Sequence, residues 1–351
     1  EAQLEWKGRI VADALERIGG LGAVPQVDVV GAPSPLGYRS RVSFTLRRLR
    51  GGRVVAGFHA LGRPAHVVDV DGCLLADPAI SDAWAALRRG WGPGAGLLPV
   101  AGRLRLTLRA ASEGVELLVE GGSRGWDPAD LVAAVPVFTA VWHRPDARRG
   151  ASGSNAGSDA AGHPELRAGT TGDGGGVAFE QVNREAAGIL RRHVLDRVDG
   201  VAAELGTAGG SGAAPSRRAV DAYCGTGVYG RALAERGWTV TGIEVDPAAA
   251  PLARADAPAG WTLRVGAVEA LLPEALPADL VVLNPPRGGV APAVAKQLVE
   301  RPPRAVVYVS CDPATLARDL SRLAPALGVT EVTAFDLFPQ TAHVETVAVL
   351  R

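Results

Sequence analysis

The chain contains no methionine, not even at position 1, and only two lysines, Lys7 and Lys296. The missing initiator reads as a piece of a longer reading frame or a processed product. The near-exclusive use of arginine as the basic residue reads as coding bias. Cysteine is scarce: Cys73, Cys224 and Cys311 are too few and too scattered for a disulfide framework, which points to a reducing, cytoplasmic setting. No apolar run approaches a membrane span, and no signal-peptide pattern opens the chain, so no membrane role is expected. Net charge is also lacking, since 37 basic residues balance 37 acidic ones, and bulk charge alone does not announce a polyanion partner. No internal repeat is evident.

One local absence is informative. Between Asp28 and Asp69 there is no acidic residue, while Arg39, Arg41, Arg47, Arg48, Arg50, Arg53 and Arg63 all fall inside. Such a patch suits phosphates; a solvated strand face is the plainer explanation.

The 351 residues suffice for two domains. Leu4, Ile10, Val11, Ala14, Leu15 and Ile18 mark an amphipathic helix ended by Gly19-Gly20. From about residue 25 to 142 the pattern is mostly β, interrupted by a helix at Ala79–Arg89, with Gly51-Gly52 and Gly121-Gly122 suggesting hairpins. Residues 146–176 are rich in Gly, Ser, Ala and Asp and read as a flexible insertion. After residue 180 helices and strands alternate, the signature of an open, doubly wound, mostly parallel sheet, closed here by an antiparallel last strand at Glu345–Leu350. The expectation is an α/β fold: an N-terminal helix and α+β domain with an antiparallel sheet over 1–178, then a doubly wound domain over 179–351.

Two stretches carry chemistry. In VVYVSCDPATLARDL, an apolar β-branched run ends at Ser310-Cys311, and Asp312-Pro313 opens a helix. Cys311 therefore stands between a strand end and a helix start, where the helix dipole favours a thiolate nucleophile; a buried structural cysteine is the alternative. In AVDAYCGTG, a strand runs into a glycine turn and a helix. Gly225 and Gly227 allow a ligand close to the backbone, and Glu244 after the next strand suits both hydroxyls of a ribose. A nicotinamide site follows similar logic, but the leading D-x-Y-C differs and Gly230 is not counted as the third glycine of that fingerprint. With Asp221 and Asn284-Pro285-Pro286, the set points to a class I methyltransferase binding S-adenosylmethionine.

DAYCGTG, GIEVD, LNPPR, VSCDPATLARDL and FPQTAHVET resemble, in that order, the motifs of the RNA 5-methyluridine methyltransferases, which act on C5 of uridine in tRNA or 23S rRNA. FEQVN, from Phe179 to Asn183, resembles the signature before their catalytic domain. The resemblance implies Cys311 as nucleophile and Glu345 as general base. It also implies Gln181, Tyr223, Gly225, Gly227, Glu244 and Asn284 at the methyl donor, with Phe179, Arg287, Arg39 and Arg41 toward the RNA. His343 reads as a positioning or structural residue and Cys224 as packing. Asn284 stands where the family usually has Asp. Some members carry an RNA-binding barrel and a four-cysteine iron–sulfur cluster; Cys73 resembles the fourth ligand, and one cysteine holds no cluster, so a [4Fe-4S] group is expected only in a longer form. RNA is the expected partner of a monomeric chain. The alternatives are an amino-group methyltransferase, acting on adenine N6 or a protein amide through Asn284-Pro285-Pro286, and a non-catalytic RNA-binding module.

Overall fold

The computed structural model describes residues 1–21, 26–146, 164–169, 181–208 and 217–351. Its contacts divide the chain into two units, one of Glu1–Pro33 with Glu185–Arg351 and the other of Ser34–Arg184. The change at 184/185 lies close to the expected boundary. Residues 1–33, expected in the first domain, pack instead with the second.

The larger unit holds α1 (Ala2–Arg17), β1 (Val27–Val30) and, after the smaller unit's residues, α4 (Arg184–Ala208). Then come β9 (Arg218–Ala222), α5 (Val228–Glu235), β10 (Thr239–Glu244), α6 (Ala250–Arg254), β11 (Trp261–Val265) and α7 (Val268–Ala275). The remainder is β12 (Leu280–Leu283), α8 (Pro292–Glu300), β13 (Ala305–Ser310), α9 (Pro313–Leu323), β14 (Val329–Phe335) and β15 (Glu345–Leu350). The eight strands run in the order β1-β14-β15-β13-β12-β9-β10-β11. All neighbours are parallel except at β15, which is antiparallel to both β13 and β14. The chain goes outward from β9 to β11, then returns to β12 on the other side. That reversal makes a crevice beyond the carboxyl ends of β9 and β12.

Strand parity sorts the core. Val220, Val281, Val306, Tyr308 and Ala348 belong to one buried cluster, with Leu15 of α1 and Leu316 and Leu320 of α9. Ala219, Val282, Val307, Val309 and Val347 belong to the other, with Val194 and Val198 of α4. Both faces are apolar, so these strands read as continuous runs rather than alternations.

The smaller unit is a seven-stranded sheet. In chain order it comprises β2 (Arg41–Arg48), β3 (Val54–Ala60), β4 (Arg63–Asp69), α2 (Pro78–Gly90), β5 (Arg103–Ala111), β6 (Gly114–Glu120), α3 (Ala129–Ala134), β7 (Phe138–Arg144) and β8 (Glu165–Gly169). The helix α2 covers one face, where Trp84 stacks on Phe44 with centroids 3.8 Å apart. Two expectations are corrected. Gly121-Gly122 does not turn a hairpin: β6 and β7 are parallel, joined by a crossover through α3. Within the expected insertion at 146–176, β8 pairs with β7; residues 147–163 and 170–180 lie outside the described residues. Gly51-Gly52 does join an antiparallel pair, β2 and β3.

No helix among the described residues is long and apolar enough to cross a membrane.

Candidate active site

The antiparallel course of β15 places its first residue, Glu345, at the edge where the parallel strands end. Ser310, the last residue of β13, pairs with Thr346, and the Thr346 hydroxyl donates to the Ser310 carbonyl at 3.1 Å. On the other side Glu345 pairs with Phe335. Cys311 follows Ser310, so thiol and carboxyl belong to adjacent strand ends. Their coupling is electrostatic as well as geometric. Burial pushes the Cys311 thiol up, and the Glu345 charge pushes it further, while the Arg287 guanidinium, hydrogen-bonded to the thiol, pulls it down. The helix dipole read from the sequence acts against this burial and like charge, on the same side as Arg287. Glu345 is 4% exposed, and burial raises its carboxyl from 4.5 to about 7, with Arg287 opposing.

Local sequence explains the turn at Cys311. The Asp312 side chain accepts from the Thr315 backbone N–H at 2.8 Å, and Pro313 takes the first turn of α9. That helix also fastens the loop bearing Arg287. The Thr315 hydroxyl donates to the Arg287 carbonyl at 3.1 Å, and Arg318 donates to the Gly288 carbonyl at 2.7 Å. Fully buried Asp319 accepts from the Val290 N–H at 2.9 Å, the Tyr308 hydroxyl at 2.8 Å, and both Arg318 and Arg322. Gly289 turns the loop at φ +76, where a Cβ would overlap Asp319. The sequence reading did not single out Asp319. Its signal was an acid inside the apolar stripe of Leu316, Leu320 and Leu323.

A second group lies at the ends of β9, β10 and β12. Tyr223 takes a left-handed backbone, φ 62, and turns the chain into the glycine loop. The Glu244 carboxylate accepts from the backbone N–H groups of Gly225 and Asp246, each at 2.8 Å. At Gly225, φ +54, nothing lies within 4 Å of where a Cβ would stand, so the turn faces open space. Gly227 and Gly230 pack on the Trp261 ring, and the Gly230 N–H donates to buried Asp221 at 2.7 Å. Gly225, Gly227 and Gly230 do complete a G-x-G-x-x-G spacing, which corrects the discounting of Gly230. Burial raises the Asp221 carboxyl to about 7 and the Cys224 thiol well above its usual range. Asn284 is exposed at the end of β12. The exposed His343 contributes its carbonyl, which accepts from Lys7 at 2.7 Å.

Gln181, half-buried, lies in the smaller unit, as do Arg39 and Arg41; Phe179 lies outside the described residues. The seven arginines between Asp28 and Asp69 do not share one face. Arg48 is spent on the carbonyls of Gly94, Ala95, Leu98, Pro99 and Ala101, and is structural. Arg41 and Arg47 instead face outward with arginines that the sequence reading missed. Arg41 stands opposite Arg109, and Arg47 opposite Arg103. Arg41, Arg105, Arg109, Arg144 and Trp142 line one pocket on that sheet face with Glu116 and Glu120, and the two acids pair with Arg105, Arg109 and Arg144 without matching the arginines in number. The alternation in RLRLTLR was the available signal. Like charges directly opposite are unfavourable in a sheet, so this face suits an anionic partner. Cys73 is half-buried, and among the described residues no group of three or more His, Cys, Asp or Glu could hold a metal ion.

Residues 274–351 match the tRNA (uracil-5-)-methyltransferase family model. An uncharacterised RNA methyltransferase of Gloeobacter violaceus is 34% identical over 99% of this chain and 78% of its own length. One of Thermosynechococcus vestitus is 32% identical over 99% and 79%. The crystal structure of Pyrococcus abyssi tRNA (uracil-54, C5)-methyltransferase in complex with S-adenosyl-L-homocysteine is similar, with a TM-score of 0.72, 26% identity, and coverage of 100% of this chain and 83% of that one.

Proposed function

Because the chain belongs to the RNA uracil-5 methyltransferases and is S-adenosylmethionine-dependent, we propose that it methylates C5 of one uridine in structured tRNA or 23S rRNA through a transient bond from Cys311 to C6 of the ring. The observation that carries this reading is that Cys311 follows Ser310 and Glu345 precedes its partner Thr346, at adjacent strand ends, with Arg287 acting on both.

The chemistry asks for such a pair. C5 of uracil is a poor carbon nucleophile. Addition of the Cys311 sulfur to C6 moves the ring's π electrons toward C5 and O4 as an enolate. C5 would then form the new carbon–carbon bond to the donor's methyl, whose bond to the sulfonium sulfur breaks with its electron pair so that a neutral thioether leaves. Glu345 takes the C5 proton; the C–H electrons restore the C5–C6 double bond, the C6–S bond breaks, and the thiolate returns. A carboxyl held near 7 is matched to that task at neutral pH. Arg287 offsets the burial that disfavours the thiolate.

The residues present fit the methyl donor. Gly225 leaves open space beside the Glu244 carboxylate, which suits a ribose diol, and Tyr223, Gly227 and Asn284 stand at the same strand ends. S-adenosylmethionine supplies an electrophilic methyl group on a sulfonium. In the smaller unit, the outward arginine face would hold backbone phosphates. C5 and C6 are accessible only in an unstacked base, so the target uridine lies in a loop or is flipped out. The cytoplasm, which holds these RNAs, is the expected location.

Nucleoside analysis tests the reading. RNA from cells lacking the gene is incubated with the protein and S-adenosylmethionine, digested, and analysed by mass spectrometry. The expected product is 5-methyluridine. A methylated adenine or a methylated protein amide as the only product would favour the amino-group chemistry of Asn284-Pro285-Pro286 instead.

A further inference from the structure

Lys7 is one of two lysines in a chain that otherwise uses arginine, and it is buried in the larger unit. Its ammonium donates to three acceptors: the Asp336 carboxylate, the Phe338 carbonyl at 3.0 Å and the His343 carbonyl at 2.7 Å. Three N–H donors meet three oxygens, so the group is saturated. A compact ammonium can do this where a planar guanidinium fork is poorly matched. All three acceptors lie in the segment that leads from β14 to Glu345.

One turn earlier, on the same face of α1, Gln3 holds the middle of that segment. Its amide donates to the Gln340 side chain at 2.9 Å and accepts from the Gln340 backbone N–H at 3.3 Å. Gln340 has φ 64, so the loop passes there through a left-handed conformation that a non-glycine residue adopts only when its surroundings hold it. Asp336 is tied at its other side, its N–H donating to the Val30 carbonyl at 2.9 Å. The same helix packs on α9, which begins beside Cys311: α1 supplies Leu15 and α9 supplies Leu316 to one buried cluster. Thus α1 touches both the helix that follows the thiol and the loop that precedes the carboxyl.

We propose that Gln3 and Lys7 are positioning residues: α1 clamps the 336–343 loop so that Glu345 is aimed at the C5 proton while Cys311 stays in place. The inference rests on the roles proposed for Cys311 and Glu345. The clamp acts on proton removal and leaves addition and methyl transfer largely untouched.

The two steps can be read apart. In vitro transcripts of tRNA and 23S rRNA carrying C5-tritiated uridine release tritium only when the base acts. Single-turnover transfer from labelled S-adenosylmethionine reports the earlier step. Replacing Lys7 alone would strand Asp336 as a buried, unpaired charge, so the pair is changed together, Lys7→Met with Asp336→Asn. Exposed Gln3→Ala serves as a second variant with little load on folding. Tritium release is expected to slow on the order of 100-fold in the double variant, as misplacement of a catalytic group by about 1 Å does, with methyl transfer within threefold and a methylated covalent protein–RNA adduct building up. Gln3→Ala is expected to slow release roughly threefold to tenfold by the same argument. Lys7→Arg, which keeps a cation at Asp336, recovers part of the lost release. Release within twofold of wild type in both variants overturns the clamp. So does an equal fall in release and methyl transfer, the mark of general destabilisation. Glu345→Gln runs in parallel: wild-type tritium release from that variant defeats the base assignment itself, whereas slow release there beside normal release in the clamp variants defeats only the clamp.

Discussion

Glu345→Gln has a consequence for stability that is separable from its effect on turnover. In the folded protein the Glu345 carboxyl is raised from 4.5 to about 7, chiefly by burial. Between those values the folded state holds a proton that the unfolded chain has released. Stability therefore falls as pH rises through this window, because charging the group costs more in the buried site than in water. A shift of about 2.5 units corresponds to about 3 kcal/mol at 1.36 kcal/mol per unit, fully expressed above pH 7 and absent below 4.5. Glutamine has nearly the same shape and never ionises. The advantage of the variant over wild type should thus grow by about 3 kcal/mol between pH 4.5 and pH 8. Urea unfolding of both proteins at several pH values measures this. Asp221 is also raised to about 7, but it titrates in both proteins and cancels in the difference. With Glu345 in its proposed role as base, proton removal should climb with pH through about 7 in the wild type. A stability difference that stays constant across this range, within about 0.5 kcal/mol, would refute the buried, proton-holding carboxyl.

Three further outcomes follow from particular contacts. Glu244→Ala removes the acceptor for two backbone N–H groups and the proposed ribose partner, and should weaken S-adenosylmethionine binding by roughly 10- to 100-fold in calorimetry. Gly230→Ala drives a methyl group into the Trp261 ring and should lower stability by about 1–3 kcal/mol, read as a fall in melting temperature; an unchanged value would mean that α5 can move off β11 freely. Arg105→Gln on the outward sheet face should weaken RNA binding and reduce the slope of log K against log salt by about 1, whereas Arg48→Gln should act on stability and leave that slope alone.

What was legible in the sequence was local. The β-branched run ending at Ser310, the Asp312 cap and Pro313 each act within a few residues, and β13 ends and α9 begins where those signals place them. The pairing of β14 with β15 was likewise readable from two apolar runs close together. What stayed hidden was long-range. Lys7 meets Asp336 across 329 positions, so nothing in the N-terminal helix announced that it packs with the C-terminal half. The Gly121-Gly122 turn looked like a hairpin because α3, six residues long, is too short to leave a clear helical period. The arginines of β2 split by parity: Arg41 and Arg47 face out, and Arg48 turns toward backbone carbonyls, a distinction that a count of positive charge misses. At Cys311 the cap and dipole were visible, but the burial and the Glu345 charge that oppose them arise from long-range packing.

The central claim is that the Cys311 sulfur adds to the pyrimidine ring before C5 is methylated. RNA containing 5-fluorouridine tests it most directly, since fluorine at C5 cannot be removed as a proton and the final step stalls. After incubation with S-adenosylmethionine, digestion and mass spectrometry should find a methylated fluorouridine nucleotide covalently attached to the peptide containing Cys311. An unmodified Cys311 peptide, from protein that methylates ordinary uridine RNA in the same preparation, would contradict it.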